Sequence, residues 1–419
     1  MKRKKFALAC GALAVGSSVL ASPEISGVTM EVVQPSSGMV EIGYRLEGDD
    51  PAIVTFDVLK NGVSIGGEYL TNAVGDLNRR IEPGERKIYW RADQTWRRHD
   101  ETSGLSVEVK AWSLDAPPTF MCVDLKEVPG AVFYYEDKSQ IPGGIGDLQY
   151  KTDKLLMRKI TAEGVTFLMG CPTSVAAPKR GDDEAPHLVT FDSDYYMGVY
   201  EVTRGQYPLL TGNPCAECAP GGGDNDLLPA GGITYLTLLG YSNYPSESDP
   251  ASSATGYAIG LARSRIGIKF NIPTEAQWEY ACRAGTSSVR YDGKEVSGWR
   301  TGVDQDLDVI ANYKVKDANR TPIAVGSLQA NAWDLYDMHG NVAEWCLDYY
   351  GKDYEHTVGE SLLDPTGPDT PDKAGYRVVR GGSCYDQYAY QMRSAYRTSN
   401  KYSEGAWPSH GFRLVVSVK

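Results

Sequence analysis

One eleven-residue stretch limits this chain more than any other: Leu335-Tyr336-Asp337-Met338-His339-Gly340-Asn341-Val342-Ala343-Glu344-Trp345. Gly340 and Asn341 tolerate a positive φ, so the backbone can fold tightly there and turn carbonyls inward. Asp337 and Glu344 flank that turn, and Tyr336 and Trp345 close it with aromatic surface. Two carboxylates and exposed carbonyls around one turn are the donor set a hard cation such as calcium asks for. A surface turn with solvated acids meets the same local description.

The bulk of the chain sets wide bounds. Its 419 residues exceed one ordinary domain, so two or three are expected. The formal net charge of -12 and the absence of any basic stripe argue against nucleic acid and anionic membrane as partners. Met1 to Ala21 has the form of an export signal, with Lys2-Arg3-Lys4-Lys5 leading an apolar run that ends in small residues. After its removal no stretch is long and apolar enough to span a bilayer, and export (periplasmic, cell-surface or secreted) permits disulfides. Seven cysteines would remain, an odd number that leaves at least one outside any pair within the chain. Cys215-Ala216-Glu217-Cys218 lies in a Pro/Gly-rich loop without a second Cys pair or nearby His, which favours a local disulfide over zinc.

From Val28 to Trp112 short alternating runs follow one another. An Asn61-Gly62 turn lies between Ala52–Leu59 and Val63-Ser64-Ile65, a strong hairpin signal. The pattern predicts a small all-β immunoglobulin-like sandwich over 22–115, acting as spacer or adhesive module. Pro117-Pro118 opens an expected irregular connector over 116–154. The last domain, 155–419, is expected to mix short strands and helices. Thr274 with Gln277 forms a capping box for its clearest helix, ended by Gly285. Thr203 can cap another, the final strand Phe412–Val418 should close a sheet near the domain's start, and Ser242–Thr255 looks like an insertion loop. Asp182-Asp183-Glu184 read as solvated acids.

Six motifs in order around the organising turn then carry a resemblance: Phe167-Leu168-Met169-Gly170, Tyr200-Glu201-Val202-Thr203, Pro273-Thr274-Glu275-Ala276-Gln277-Trp278-Glu279-Tyr280, Arg377-Val378-Val379-Arg380-Gly381-Gly382-Ser383, Arg393-Ser394-Ala395-Tyr396-Arg397, and Gly411-Phe412-Arg413-Leu414. Together they resemble the formylglycine-generating enzyme (sulfatase-modifying factor) family from about Leu155 onward. The resemblance implies an α+β, loop-rich fold like that of C-type lectins. It also implies calcium held by the side chains of Asp337 and Glu344 and the carbonyls of Gly340 and Val342. A second calcium site is matched by Asn312 and Tyr313 but not well by Asp317. The family's oxidases bind copper(I) through two cysteines beyond the Arg-Gly-Gly-Ser strand. Asp386 takes the position of the first and Ala389 that of the second, while Cys384 follows Ser383 directly. Copper is therefore not expected, and Cys384 is expected to be a core residue. The expected role is a calcium-braced binding or scaffold module for a peptide, protein or glycan, with Tyr385, Tyr388, Tyr390, Tyr396, Tyr402 and Trp407 lining the groove. The competing expectation is a formylglycine-generating oxidase in which a displaced Cys384, with Cys346, replaces the usual pair.

Overall fold

A computed structural model describes residues 22–34, 38–98, 103–172, 177, 180–215, 218, 226–240, 255–296, 305–313, 321–352, 360–401 and 408–419. The proposed export signal, the Ser242–Thr255 loop apart from its last residue, Asp317, Tyr402 and Trp407 lie outside the described residues. The chain divides into two compact units, one of residues 22–122 with 132–147, the other of 123–131 with 148–417.

In the first unit the alternating runs become antiparallel strands. Ile25–Gln34, Met39–Leu46 and Gly84–Arg91 pair in turn, with Val74–Gly75 at the far side. Ala52–Lys60 pairs with Leu105–Trp112 on one side and with Val63–Ser64 and Arg80–Ile81 on the other. Asn61 and Gly62 both adopt positive φ (52° and 80°), the twist a two-residue hairpin needs. Ile42, Val54, Val58, Ile88 and Trp90, inward members of the alternation, share one core.

The segment expected as an irregular connector is more ordered than that. It contains strands Phe120–Asp124 and Ala131–Tyr135, built from the β-forming runs Phe120-Met121-Cys122-Val123 and Val132-Phe133-Tyr134-Tyr135.

The second unit is strand-rich, with short helices. Tyr195–Gly198 pairs antiparallel with Lys154–Ile160 and with Val415–Ser417, so the last strand reaches the domain's first strand through one neighbour. A four-stranded sheet orders Thr398–Lys401, Tyr376–Arg380, Ala343–Tyr349 and His410–Gly411. The helix Glu275–Arg283 lies over these strands. Thr274 Oγ accepts the Gln277 N–H at 3.2 Å, Gln277 Oε1 accepts the Thr274 N–H at 3.0 Å, and the helix stops where Ala284 and Gly285 turn left-handed. Thr203 and Gln206 exchange the same reciprocal bonds, both at 3.1 Å, at the start of helix Gln206–Thr211. Trp278, Ala281 and Cys282 are buried, as the helical spacing requires. Among the described residues no helix is long and apolar enough to cross a membrane.

Candidate functional site

The organising stretch is buried apart from half-buried Tyr336. Gly340 (φ 84°) and Asn341 (φ 64°) make the left-handed bend, and Asp337 is left-handed too at φ 58°. Gly340 lies against Asn312 in a two-residue parallel bridge, where a Cβ would come 2.3 Å from the Asn312 carbonyl oxygen. Glycine is therefore required for the close approach of two backbones as well as for the bend.

Three carboxylates converge behind the turn. Glu344 is held on both oxygens by Arg413, with the shortest contact 2.8 Å from Nη2 to Oε1, and its Oε2 also accepts the Trp278 indole N–H at 2.8 Å. Glu201 accepts the Asn341 Nδ2–H at 2.6 Å and the Val342 N–H at 3.0 Å. Asp337 Oδ2 accepts the Gly326 N–H at 2.7 Å, while its Oδ1 is buried with no hydrogen-bond partner among the described residues. Arg413 spends its remaining N–H groups on the carbonyls of Gly198, Val199 and Tyr336. One guanidinium thus faces three acids. Burial pushes the Glu201 carboxyl well above its ordinary range, with Asp337 and Glu344 adding to the shift. Burial likewise pushes Asp337 up to about 6, opposed by its bond from Gly326 and by Arg413.

This geometry bears on how calcium would fit the expected quartet. A calcium ion needs six to eight oxygens. Both oxygens of Glu344 are already committed to a guanidinium and an indole, so the quartet does not fit calcium as drawn. Asn312 and Tyr313 are buried, but the Asn312 carbonyl accepts the Asn341 N–H at 2.9 Å and its Nδ2 donates to Thr321 and Asn341. Among the described residues no three His, Cys, Asp or Glu side chains are grouped to hold a metal ion. Glu201 and Arg413 were visible only as parts of motifs; their role depends on contacts 140 and 69 residues away in sequence.

A second ionic lattice lies around the helix start. Glu275 is gripped by Arg397 at 2.7 and 2.8 Å and by Arg380 at 3.5 Å, and Glu279 by Arg283 and Arg380. Glu184, expected to be solvated, is buried and paired with Arg393 at both oxygens, and Asp183 accepts the Tyr350 hydroxyl at 2.7 Å. The reason is a partner 209 residues on that no local pattern reveals.

Past Gly381 and Gly382 the chain makes a tight loop. Asp386 accepts three hydrogen bonds: from the Ser383 N–H at 2.7 Å, the Ser383 hydroxyl at 3.0 Å and the Gln391 Nε2–H at 2.6 Å. Cys384 is buried, and its N–H donates to the Asn341 carbonyl at 2.9 Å. Cys346 is buried in the sheet beside Asp348, Glu275 and Arg380. Cys215 and Cys218 form the local disulfide; the other described cysteines are buried and outside any disulfide. Tyr388 stacks on Tyr390 with ring centres 5.3 Å apart, and Tyr396 meets Tyr390 edge-on at 5.9 Å. All three rings are half-buried, as is Tyr385.

Residues 147–418 match the model of the sulfatase-modifying factor enzyme 1-like domain. A serine/threonine-protein kinase pkn1 of Chlamydia caviae is 36% identical over 284 residues, covering 65% of this chain and 40% of that protein. The formylglycine-generating enzyme of Streptomyces coelicolor is 35% identical over 170 residues, 39% of this chain and 50% of that one. The chain thus spans half or less of these relatives' length. The solved structure of Treponema denticola variable protein 1 aligns at TM-score 0.46 and 22% identity, over 63% of this chain and 95% of that one.

Proposed function

The chain belongs to the sulfatase-modifying factor enzyme family, and on that premise we propose that it is an exported member without oxidase chemistry, serving as a binding or scaffold module. The observation that carries this is the closed ring around Asp386. Where the resemblance puts the first copper-binding cysteine, a carboxylate is tied on both oxygens to Ser383 and Gln391. Copper(I)-dependent oxidation of a substrate thiol by dioxygen needs two neighbouring thiolates, because one sulfur neither holds the soft ion in a two-sulfur geometry nor resolves a mixed disulfide. Asp386 and Ala389 supply neither, and Cys384 is folded inward. Titrating the reduced protein with copper(I) tests this. No tight one-to-one complex is expected; such a complex, lost in Cys384→Ser, would reinstate the oxidase.

The face offered to a ligand is the tyrosine set Tyr385, Tyr388, Tyr390 and Tyr396. Tyrosine gives large contact area at small entropic cost, which suits a peptide, protein surface or glycan. The first unit serves as an immunoglobulin-like spacer. Arg413 takes the bracing role that calcium has in the resemblance, so a chelator should leave the melting temperature unchanged. A fall of several degrees in chelator, restored by calcium, would return the ion to the turn.

A further inference from the structure

Within the ionic lattice one carboxyl remains that neither the turn nor the tyrosine face employs. Asp348, on the strand Ala343–Tyr349, is completely buried. Its Oδ2 accepts the N–H of Glu275, the first residue of the helix, at 2.8 Å. Its Oδ1 has no hydrogen-bond partner among the described residues. The neighbouring carboxylates differ: Glu275 has Arg397 on both oxygens, and Glu279 has Arg283 and the Gly170 N–H on one and Arg380 on the other.

The groups around Asp348 come from several elements. The helix brings Glu275, and the segment beyond Arg393 brings Arg397. Arg380, on the adjacent strand, joins through Glu275. The strand of Asp348 itself carries Cys346, whose thiol burial keeps protonated. Gly367 closes the far side, where a Cβ would lie 2.9 Å from that of Asp348. An ionised Asp348 would therefore sit dry beside Glu275, and the nearest cation is already engaged.

We infer that Asp348 is a proton-operated latch on the helix start. Protonated, it holds the Glu275 N–H and leaves Arg397 to the Glu275 carboxylate. Ionised, it competes with Glu275 for Arg397. Arg397 also donates to the carbonyls of Asp183 at 2.8 Å and Gly351 at 2.9 Å, and it directly follows Tyr396. Loosening it slackens both turns and the base of the tyrosine face.

Burial, reinforced by Glu275, raises the Asp348 carboxyl to about 7. A carboxyl raised on folding contributes stability that is complete below its unfolded value, about 4, and is lost as pH climbs through the folded value. The latch is thus closed at mildly acidic pH and open above neutrality.

Denaturant unfolding of the full chain from pH 5 to 8.5, as wild type and as Asp348→Asn, tests this. Asparagine keeps the acceptor for Glu275 but cannot ionise. Between pH 5 and 7 the unfolding constant of the wild type should rise relative to the variant, by up to about tenfold per pH unit, the limit for one proton. Curves parallel throughout would overturn the latch. Hydrogen exchange on the wild type gives a second reading that needs no variant to fold. Amides of 275–283 and 393–397 should lose protection between pH 6 and 8, beyond the intrinsic rise in exchange rate, while those of 154–160 keep theirs. Equal behaviour in all three segments would overturn it as well.

Discussion

The two buried ionic clusters of the second unit are built from the same residue types and balanced differently. Around the helix start Glu184, Glu275 and Glu279 meet four guanidiniums, Arg283, Arg380, Arg393 and Arg397, and each of those glutamates is answered by at least one of them. Behind the organising turn one guanidinium, Arg413, faces Glu201, Asp337 and Glu344, and an Asp337 oxygen is left over. Taking charges out of water costs several kcal/mol per ion, repaid only by close partners. The first cluster therefore holds elements together, whereas the second gathers more acid than guanidinium, and the Glu201 and Asp337 carboxyls are raised above their ordinary range. Buried charge is thus informative group by group: Glu201 and Asp337 in the second cluster, and Asp348 beside the first, are carboxyls that take their hydrogen bonds from amides and not from a guanidinium.

The contrast breaks most visibly at Arg413. Arg413→Ala strips from three buried acids the guanidinium that faces them and should cost about 3–5 kcal/mol in denaturant unfolding, or prevent folding. A loss below about 1 kcal/mol would mean that another cation serves the cluster. Removing the surplus should act the other way. Asp337→Asn is expected to stabilise the protein by about 1 kcal/mol at pH 7.5, since one pKa unit of adverse shift corresponds to about 1.4 kcal/mol. A clear destabilisation there would show that the Asp337 charge is wanted, as it would be by a bound cation. Thr274→Ala removes a cap next to the balanced cluster and should cost about 1 kcal/mol. The smallest effect is expected at the tyrosine face. Tyr388→Ala should change stability by less than about 1 kcal/mol, because its ring is half-buried and packs on Tyr390. A larger loss would make the face part of the core and remove it as a ligand surface.

Local chemistry was legible in the sequence wherever cause and effect lie within a few residues. The Thr274–Gln277 box, the Asn61-Gly62 hairpin, the Cys215–Cys218 loop and the bend at Gly340-Asn341 all took the form their spacing implies. What was not legible is partnership at a distance. Glu344 meets Arg413 69 residues later, and a two-carboxylate turn looks the same in sequence whether a metal or a guanidinium answers it. Glu184 was misread for the same reason, since an acid after two aspartates resembles a solvated run until Arg393 arrives 209 residues on. The connector failed differently: its prolines drew attention, while the β-branched and aromatic runs beside them formed strands.

The bridge between Asn312 and Gly340 has a consequence for anyone wishing to re-engineer the protein. Two backbones touch there with no space even for a methyl group, so that position accepts no gradual change. Library diversity aimed at new recognition should start outward of this weld and leave its two residues untouched, because a graft that shifts either one would derail the chain before any new surface could be displayed.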